Sequence, residues 1–401
     1  MNEPQIRFKR FHGAWISYTL GEMVTFSKGT GYSKTDLCKE GNPIILYGRM
    51  YTKYESVIDT VDTFVIPKNN SVYSTGGEVI IPGSGESPED ISVASTVKNA
   101  GVILGGDLNI LKFDTKLYDP TFMAMAITYS PTRMQLSVFA QGKTIVHLRN
   151  SEIAKGHIYF PHIEEQKIIA RYVSSLDTQI SSVSSRLASL KQVKEASLQA
   201  MFPQKGETVP KIRFKGFEGE WVITKAAEIF KTVNERNFSG LPVLSATQDK
   251  GMVTRDSIGY NIFHDKSNES TYKHIVPGQF VMHLRSFQGG FAHSAIEGIC
   301  SPAYTIMEFK DKERNHDLYW KYVLTSKRFI KSLEMITYGI RDGRTISFDE
   351  FKEMVFLVPK VEEQQQIASY FTSLDKQIAL QTQRLEKLKQ IKAACLDKMF
   401  V

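Results

Sequence analysis

The chain has 401 residues, which exceeds the usual size of one domain and predicts two or three domains. Lys and Arg number 50 against 43 acidic residues, and the net charge of +7 suits a polyanionic partner such as nucleic acid. Three widely separated cysteines argue against a disulfide framework, and the sequence shows neither a signal-peptide core nor a membrane-length apolar run. We therefore expect a cytoplasmic protein, neither secreted nor membrane-spanning.

An internal repeat organises the sequence. Residues 4–15 read PQIRFKRFHGAW and residues 210–221 read PKIRFKGFEGEW, with eight identical positions of twelve. Residues 161–202 match residues 359–400 at 22 of 42 positions. The two copies therefore share their ends, which predicts one scaffold used twice.

The interiors of the two copies, residues 16–160 and 222–358, are dissimilar and predict two different surfaces on that scaffold. The alternative is a duplicated domain whose middle has simply drifted. An amphipathic run from Asp317 to Met335 predicts a helix, and short apolar runs between Gly-rich turns predict strands. Each domain is therefore expected to be α+β, with mixed strands and helices around one curved sheet. The predicted strands are Glu78–Ile81, Gly101–Leu104, Asn109–Phe113, Phe280–Leu284 and Ala303–Met307.

Each copy ends in a segment with helical signals. In the first copy, Pro161 followed by Glu164 and Glu165 predicts a helix start, and Pro203 with Gly206 predicts its end. Apolar residues at alternating spacings of four and three predict a two-helix coiled coil, the alternative being an ordinary core helix. The seam includes Leu176, Ile180, Leu187, Leu374, Ile378 and Leu385.

The two helical arms are expected to pair antiparallel, because only a short linker follows the first arm before the second copy begins. Lys194 and Lys392 fall on the seam and Gln381 interrupts it, so we expect the pairing to be specified and not maximally stable. This arrangement has a pseudo-twofold internal repeat. The predicted segments are a first domain at 1–160, a central helical spacer arm at 161–203, a linker and second domain at 204–358, and a C-terminal spacer arm at 359–401.

Basic, aromatic and amide side chains interleave in three predicted loops, at residues 49–54, 283–288 and 338–344. In the first copy, residues 141–143 occupy the place of residues 342–344. Arg can bond a guanine edge bidentately and Gln an adenine edge, whereas Lys more often meets a phosphate. For each residue the alternative is an ordinary solvated surface side chain. The candidate DNA-binding residues are Arg49, Tyr51, Lys53, Tyr54, Gln141, Lys143, Arg285, Ser286, Gln288, Tyr338, Arg341 and Arg344.

Motifs for catalysis are absent from the sequence. An amino-methyltransferase needs a cofactor loop and a short acidic or amide-Pro-Pro-aromatic motif to orient the target nitrogen, and the sequence has neither. A nuclease site could be assembled only from Asp90, Asp114 and Lys116, a pattern that arises readily by chance. The histidines lack the spacing and companions of a metal site. We therefore expect no catalytic residue, no metal and no cofactor in this chain.

The repeated motifs resemble the specificity subunits of type I restriction-modification systems, over essentially the whole chain. Each motif is weak alone, but their order and duplication are specific. The motifs are the I-R-F-x-x-F-x-G-x-W openings at Ile6–Trp15 and Ile212–Trp221, the P-x-[IV]-E-E-Q helix starts at 161–166 and 359–364, and the L-D-x-Q-I blocks at 176–180 and 374–378.

The resemblance implies two target-recognition domains separated by an antiparallel helical spacer, reading the two halves of a split, asymmetric DNA site. It also implies two methylation subunits that use S-adenosylmethionine, and restriction subunits that use ATP and magnesium. In this reading the helical arms also dock the partner subunits, notably through Glu164, Glu165, Gln166, Glu362, Glu363 and Gln364.

Three alternatives stay open at this point. The first is a specificity subunit of another restriction architecture, in which methylation and cleavage share one partner polypeptide. The second is a stand-alone DNA-cleaving enzyme, and the third is a coiled-coil adaptor that binds only protein.

Overall fold

The chain divides into two compact units in the computed structural model. Unit 1 contains Met1–Ser185 and Thr382–Val401, and unit 2 contains Arg186–Gln381. Each unit contains one α+β domain together with part of both predicted helical arms. The structure describes residues 3–247, 250–258, 266–283, 290–336 and 347–401.

Unit 1 is built from short strands and short helices, together with part of the long helix α7. The strands are β1 (Ile16–Thr19), β2 (Val24–Lys28), β3 (Leu37–Cys38), β4 (Asn42–Ile45), β5 (Val57–Ile58), β6 (Phe64–Val65), β7 (Tyr73–Thr75), β8 (Glu78–Pro82), β9 (Ser84–Gly85), β10 (Ser95–Val97), β11 (Ala100–Leu104), β12 (Leu108–Phe113), β13 (Val146–His147) and β14 (His157–Phe160). The helices are α1 (Leu20–Met23), α2 (Arg49–Thr52), α3 (Pro88–Ile91), α4 (Pro120–Tyr129), α5 (Pro131–Phe139), α6 (Asn150–Ile153) and α7 (Ile163–Ala200), which continues into unit 2.

The main strands of unit 1 form two five-stranded sheets, with orders β2-β12-β8-β10-β5 and β3-β6-β4-β11-β7. The predicted α+β class is confirmed, but the single curved sheet is corrected to two sheets. The chain leaves one sheet for the other where Gly76 and Gly77 separate β7 from β8. Their φ angles of +88° and +89° are readily adopted by glycine. This turn separates β7, which pairs in one sheet, from β8, which pairs in the other.

The core of unit 1 centres on α4. Asp119 caps this helix by accepting a hydrogen bond from the backbone N–H of Phe122, and Pro120 occupies its first position. The Phe122 ring lies 5.6 Å from the Trp15 ring and 5.6 Å from the Phe400 ring. The core therefore joins the opening motif, the variable interior and the last residues of the chain.

Unit 2 has the same plan with different sheets. Within the described residues, its strands form two four-stranded sheets, β16-β23-β20-β21 and β18-β17-β22-β19, together with the pair β15-β24. The strands are β15 (Val222–Lys225), β16 (Phe230–Val233), β17 (Val243–Thr247), β18 (Gly251–Thr254), β19 (Lys273–Ile275), β20 (Phe280–Met282), β21 (Phe291–His293), β22 (Gly298–Cys300), β23 (Thr305–Phe309) and β24 (Val355–Val358). The helices are α8 (Ala226–Ile229), α9 (Asp317–Leu324), α10 (Lys327–Ile336), α11 (Phe348–Phe351) and α12 (Val361–Lys398), which continues into unit 1.

The amphipathic run predicted as one helix from Asp317 to Met335 forms two helices, α9 and α10. Thr325 and Ser326 separate them, and their hydroxyls donate to the backbone carbonyls of Lys321 and Val323. The Ser326 hydroxyl also accepts from the backbone N–H of Phe329 at 3.2 Å. Side chains that compete for backbone hydrogen bonds in this way end one helix and start the next.

A buried histidine joins two segments of unit 2. The His274 side chain is 8% exposed, and its ring nitrogens lie 3.1 Å from Glu235 and 2.9 Å from Glu297. The Phe238 ring stacks on the imidazole at 3.8 Å. Burial lowers the pKa of His274, but the two carboxylates outweigh burial and raise that pKa above its usual value of 6.5.

Replacing His274 with Gln should weaken β19 in a pH-dependent way. Because the folded pKa is raised, the stabilisation is complete below the unfolded pKa of about 6.5 and is lost as pH rises through the folded value. Hydrogen exchange of the β19 amides should therefore differ more between wild type and H274Q at about pH 6 than at about pH 8.5. His12→Gln, at an exposed histidine, is the matched control. An equal difference at both pH values would contradict the role given to the imidazolium.

Candidate nucleic-acid interface

The opening motif of unit 1 ties together the two long helices. The backbone N–H of Ile6 donates to the carbonyl of Lys398 at 2.9 Å, near the end of α12. Arg7 donates to both carboxylate oxygens of Glu165, at 2.8 Å each, in the first turn of α7. The Phe8 ring packs edge-on against Tyr172, 5.7 Å away. Three consecutive residues thus hold the start of one helix beside the end of the other.

Unit 2 repeats these contacts with its own residues. Ile212 donates to the carbonyl of Ala200 at 2.9 Å, near the end of α7. Arg213 donates to both oxygens of Glu363 at 2.7 and 2.8 Å, and the Phe214 ring lies 6.0 Å from the Tyr370 ring. In each unit the start of one long helix lies beside the end of the other, so the predicted antiparallel pairing is confirmed within each unit. We call this set of contacts the helix anchor.

The glutamine of the P-x-[IV]-E-E-Q motif fastens the α+β domain to the helix start. In unit 1 the Gln166 amide oxygen accepts from the backbone N–H of Asp119 at 2.9 Å, and its amide nitrogen donates to the carbonyls of Leu117 and Pro161. In unit 2 Gln364 makes the equivalent bond to His316 at 2.9 Å. Both glutamine side chains are fully buried. In each unit one buried amide therefore joins the start of a long helix to the start of a domain helix, α7 to α4 in unit 1 and α12 to α9 in unit 2.

Four of the six glutamate and glutamine side chains predicted to dock partner subunits are buried in these contacts. Glu165, Gln166, Glu363 and Gln364 are buried in the helix anchor, which gives them an internal role that the sequence did not predict. A partner could reach the two glutamate side chains only by displacing the arginines of the opening motifs, and the two glutamines only by breaking their bonds to backbone groups. The docking prediction therefore rests on Glu164 and Glu362, which are exposed, and on the other outward residues of the two helices.

The coiled-coil seam contains a repeated ion pair. The predicted seam residues Leu176, Leu187, Leu374 and Leu385 are buried, and Ile180 and Ile378 are half-buried. In unit 1 Lys392 pairs with Asp177, and in unit 2 Lys194 pairs with Asp375 at 2.5 Å. The two aspartates are the second residues of the repeated L-D-x-Q-I blocks. The lysines predicted to lie on the seam thus pair with these aspartates. The sequence indicates this pairing only through the recurrence of both residue types at matching positions of the two copies.

The first candidate DNA-binding segment is committed to internal contacts. Arg49 begins α2, and its guanidinium, 9% exposed, pairs with Glu55 and Asp62 at 2.6 Å each. Lys53 shares Asp62 at 3.0 Å, and the Tyr54 hydroxyl donates to the backbone carbonyl of Ala94 at 3.2 Å. Tyr51 is half-buried. DNA contact by these residues stays a prediction, now beside a structural role that the sequence did not show.

The second candidate segment is an exposed turn. Gln141 and Lys143 lie on its surface, and the backbone groups of Gln141 and His147 bond to each other at 3.0 and 2.8 Å. This turn is continuous with the two-stranded pair β9-β13. The other candidates, Arg285, Ser286, Gln288, Tyr338, Arg341 and Arg344, lie outside the described residues.

Comparison with protein families decides what this scaffold is. The family model described as the type I restriction modification DNA specificity domain matches the chain twice, over residues 13–192 and 218–390. The chain belongs to this family. The two matched ranges lie within the two copies seen in the sequence, and each of the two units contains one helix anchor.

Relatives and a solved structure agree with this assignment. The StySPI specificity subunit of Salmonella potsdam is 24% identical over 203 residues, 47% of this chain but only 41% of that subunit. The MjaVIII specificity subunit of Methanocaldococcus jannaschii is 21% identical over 97% of this chain and 94% of its own length. The S subunit of the type I system of M. genitalium has the same fold, with a TM-score of 0.62, 14% identity and coverage of 100% and 99% of the two chains.

The function of the chain follows from its family. The two specificity domains recognise DNA sequence for a type I restriction-modification system, and the catalytic activities of such systems reside in other subunits. Among the described residues no helix is long and apolar enough to cross a membrane.

The residues of the nuclease alternative have ordinary structural roles in the specificity domain. The Asp114 carboxylate accepts from the backbone N–H of Lys116 at 3.0 Å, a local turn after β12. Asp90 lies in α3, where its backbone N–H bonds to the Ser87 hydroxyl. The described part of the chain contains no group of three His, Cys, Asp or Glu side chains arranged to hold a metal ion.

Removing the anchor arginine of one specificity domain should loosen that domain's anchor and leave the other intact. Arg7→Ala leaves the buried carboxylate of Glu165 without its ion-pair partner. Removing one partner of a buried ion pair lowers the free energy of unfolding by about 3–5 kcal/mol. Hydrogen exchange should accelerate at residues 5–15 and the first turn of α7. Arg213→Ala should do the same at residues 211–221 and the first turn of α12. Acceleration spread over both regions by either change would contradict an anchor confined to one unit.

Exchanging the two charges of the seam pair should restore the stability that either single substitution removes from unit 1. Lys392→Asp places two carboxylates together, and Asp177→Lys places two ammonium groups together, so each should lower the stability of unit 1. The double exchange restores attraction, and we expect a coupling of about 0.5–1 kcal/mol because the side chains are partly exposed. Denaturant unfolding followed in unit 1 measures the cycle. A coupling near zero would mean that the pair does not specify helix pairing.

Proposed function

We propose that the two specificity domains read the two halves of a split, asymmetric DNA site, one half each. One observation carries this proposal: two copies of the same helix anchor hold interiors of dissimilar sequence, whose described residues form five-stranded sheets in unit 1 and four-stranded sheets in unit 2. Different sheets present different side chains to DNA, whereas a common anchor fixes how each domain joins the helices. When one chain reads two half-sites, its discrimination against wrong sequences is the product of the discrimination at each half-site.

The DNA contacts within each half-site divide into two kinds. Lys and Arg side chains contact phosphates and position the domain, and a few side chains that reach base edges discriminate by about 1–3 kcal/mol each. The candidate residues of the second domain, including Arg285, Gln288, Arg341 and Arg344, supply this mixture of side-chain types.

The partners of this chain are two methylation subunits, which bind S-adenosylmethionine and methylate adenine, and restriction subunits, which use ATP and magnesium to cleave. The exposed faces of α7 and α12, including Glu164 and Glu362, dock these partners. The polar outer faces of helices this long support that role. The complex works in the cytoplasm, where its DNA lies and where the three free cysteines remain reduced.

The methylome tests the proposal most directly. Single-molecule sequencing of adenine methylation is performed in cells that carry this chain with a methylation subunit, and in cells without this chain. We expect a two-part motif that disappears on deletion. An unchanged methylome, with an active methylation subunit present, would overturn the proposal and favour the protein-only adaptor.

Domain exchange separates the two half-sites. Replacing residues 16–160 with the interior of another specificity domain keeps the helix anchor and should change one half of the motif only. The reciprocal control replaces residues 222–358 and should change the other half. A change in both halves from either exchange would contradict independent reading.

Lengthening both long helices tests the role of the helices as a spacer. Seven residues inserted after Ser185 and seven after Gln381 preserve the seam, because a heptad returns the apolar positions to the same face. We expect both half-sites to keep their sequences while the gap between them grows. An unchanged gap would show that the helices do not set it.

A further inference from the structure

A small ribbon in unit 1 has an exposed turn, which presents cationic and amide side chains. It consists of β9, β13 and the turn from Gln141 to His147. β13 is the middle strand, between β9 and the Gln141 bridge, and both Val146 in this strand and Leu148 just after it are buried in the core of unit 1. His147 and Arg149 alternate with these buried residues and are exposed, so their side chains point away from the core. Lys143 and Ile145 are exposed in the turn that precedes β13.

The base of the ribbon is fixed to the main sheet. Asn109, on β12, is fully buried, and its side chain donates to the carbonyl of Leu148 at 2.8 Å. The backbone N–H of Leu148 in turn donates to the carbonyl of Gly83 at 3.0 Å. Gly142 has a φ of +142°, and a Cβ at this position would lie 2.0 Å from the carbonyl oxygen of Ile145. The turn therefore requires glycine, and its side chains stand on a rigid support.

The position of each side chain on the ribbon suggests its role. Gln141 and His147 are direct cross-strand partners, so their side chains lie on the same face at the centre of the ribbon. Lys143 lies in the turn that joins these two residues, at the tip of the ribbon, and Arg149 follows His147 at the start of α6. A central amide and imidazole between two flanking cations match a DNA groove, in which base edges lie between two rows of phosphates.

The charges of the ribbon are available to a polyanion. Within the described residues Lys143 and Arg149 have no carboxylate at ion-pair distance. Of the nearby acids, Asp107 bonds to the Ser84 hydroxyl at 3.0 Å, Glu86 is exposed at the end of β9, and Glu152 lies in the first turn of α6, which begins directly after Arg149. A carboxylate such as Glu86 can accept from the amino group of cytosine, so an acid beside the cations is compatible with DNA.

We propose that this ribbon enters the major groove of the half-site read by unit 1, with Gln141 and His147 at base edges and Lys143 and Arg149 on phosphates. The major groove is about 12 Å wide and accepts a two-stranded ribbon. The inference rests on the proposed function and deepens it, because it identifies which surface of the first specificity domain determines its half-site. His147 and Arg149 were not among the residues predicted from the sequence.

Base-edge and phosphate contacts predict different outcomes in the assembled complex of this chain with its methylation subunits. Gln141→Ala with His147→Ala should relax one half of the methylated motif and weaken binding to the preferred site about 5- to 100-fold. Lys143→Ala and Arg149→Ala should each weaken binding to all sequences and reduce the slope of log affinity against log salt by about 0.9.

Lys116→Ala is the matched control. Lys116 is an exposed lysine of the same unit, beyond the opposite end of β12 from the ribbon, and its loss should change neither motif nor salt slope. Co-purification with the methylation subunit establishes that each variant assembles.

The outcomes separate the two proposals. If the four-residue variant Q141A/K143A/H147A/R149A keeps the wild-type motif and salt slope, the ribbon proposal is overturned and the split-site proposal stands. Relaxation of both halves of the motif would also overturn it. A wild-type complex that shows no two-part motif would overturn the proposed function and the ribbon with it.

Discussion

The bidentate ion pair between an opening-motif arginine and a helix-start glutamate is the interaction on which each unit depends. Arg7 and Glu165 form it in unit 1, and Arg213 and Glu363 in unit 2. An arginine that also bonds a backbone carbonyl, such as that of Gly13, satisfies the buried carboxylate and fixes its geometry. Because the neighbouring isoleucine bonds the end of the other helix, one short peptide sets helix direction and domain attachment together.

This construction explains how one chain can carry two different interiors. The anchor uses residues at the edges of each domain, and the buried glutamine bonds to backbone groups of the domain, at Asp119 and at His316. Backbone groups are present whatever the side chains, so the interior can change without loss of these bonds. Variation is thus confined to sheets and loops, where DNA recognition takes place, and the scaffold stays constant.

The seam ion pairs add specificity of a different kind. A buried apolar seam alone tolerates several registers, whereas a lysine that must meet an aspartate accepts one. The same pair occurs in both units, between an L-D-x-Q-I block and a lysine of the opposite helix. Its partial exposure keeps the cost of burying charge low, so the pair selects the register with little effect on total stability.

The repeat, the helical arms, the α+β class and the family could all be predicted from the sequence, because they depend on periodic or duplicated patterns in the chain. The sequence placed Lys194 and Lys392 on the seam without their partners. Three features became evident only in the folded structure: the main strands of unit 1 form two five-stranded sheets, Arg49 pairs with two carboxylates, and Glu165 is buried. Each of these depends on residues far apart in sequence, which become neighbours only when the chain folds.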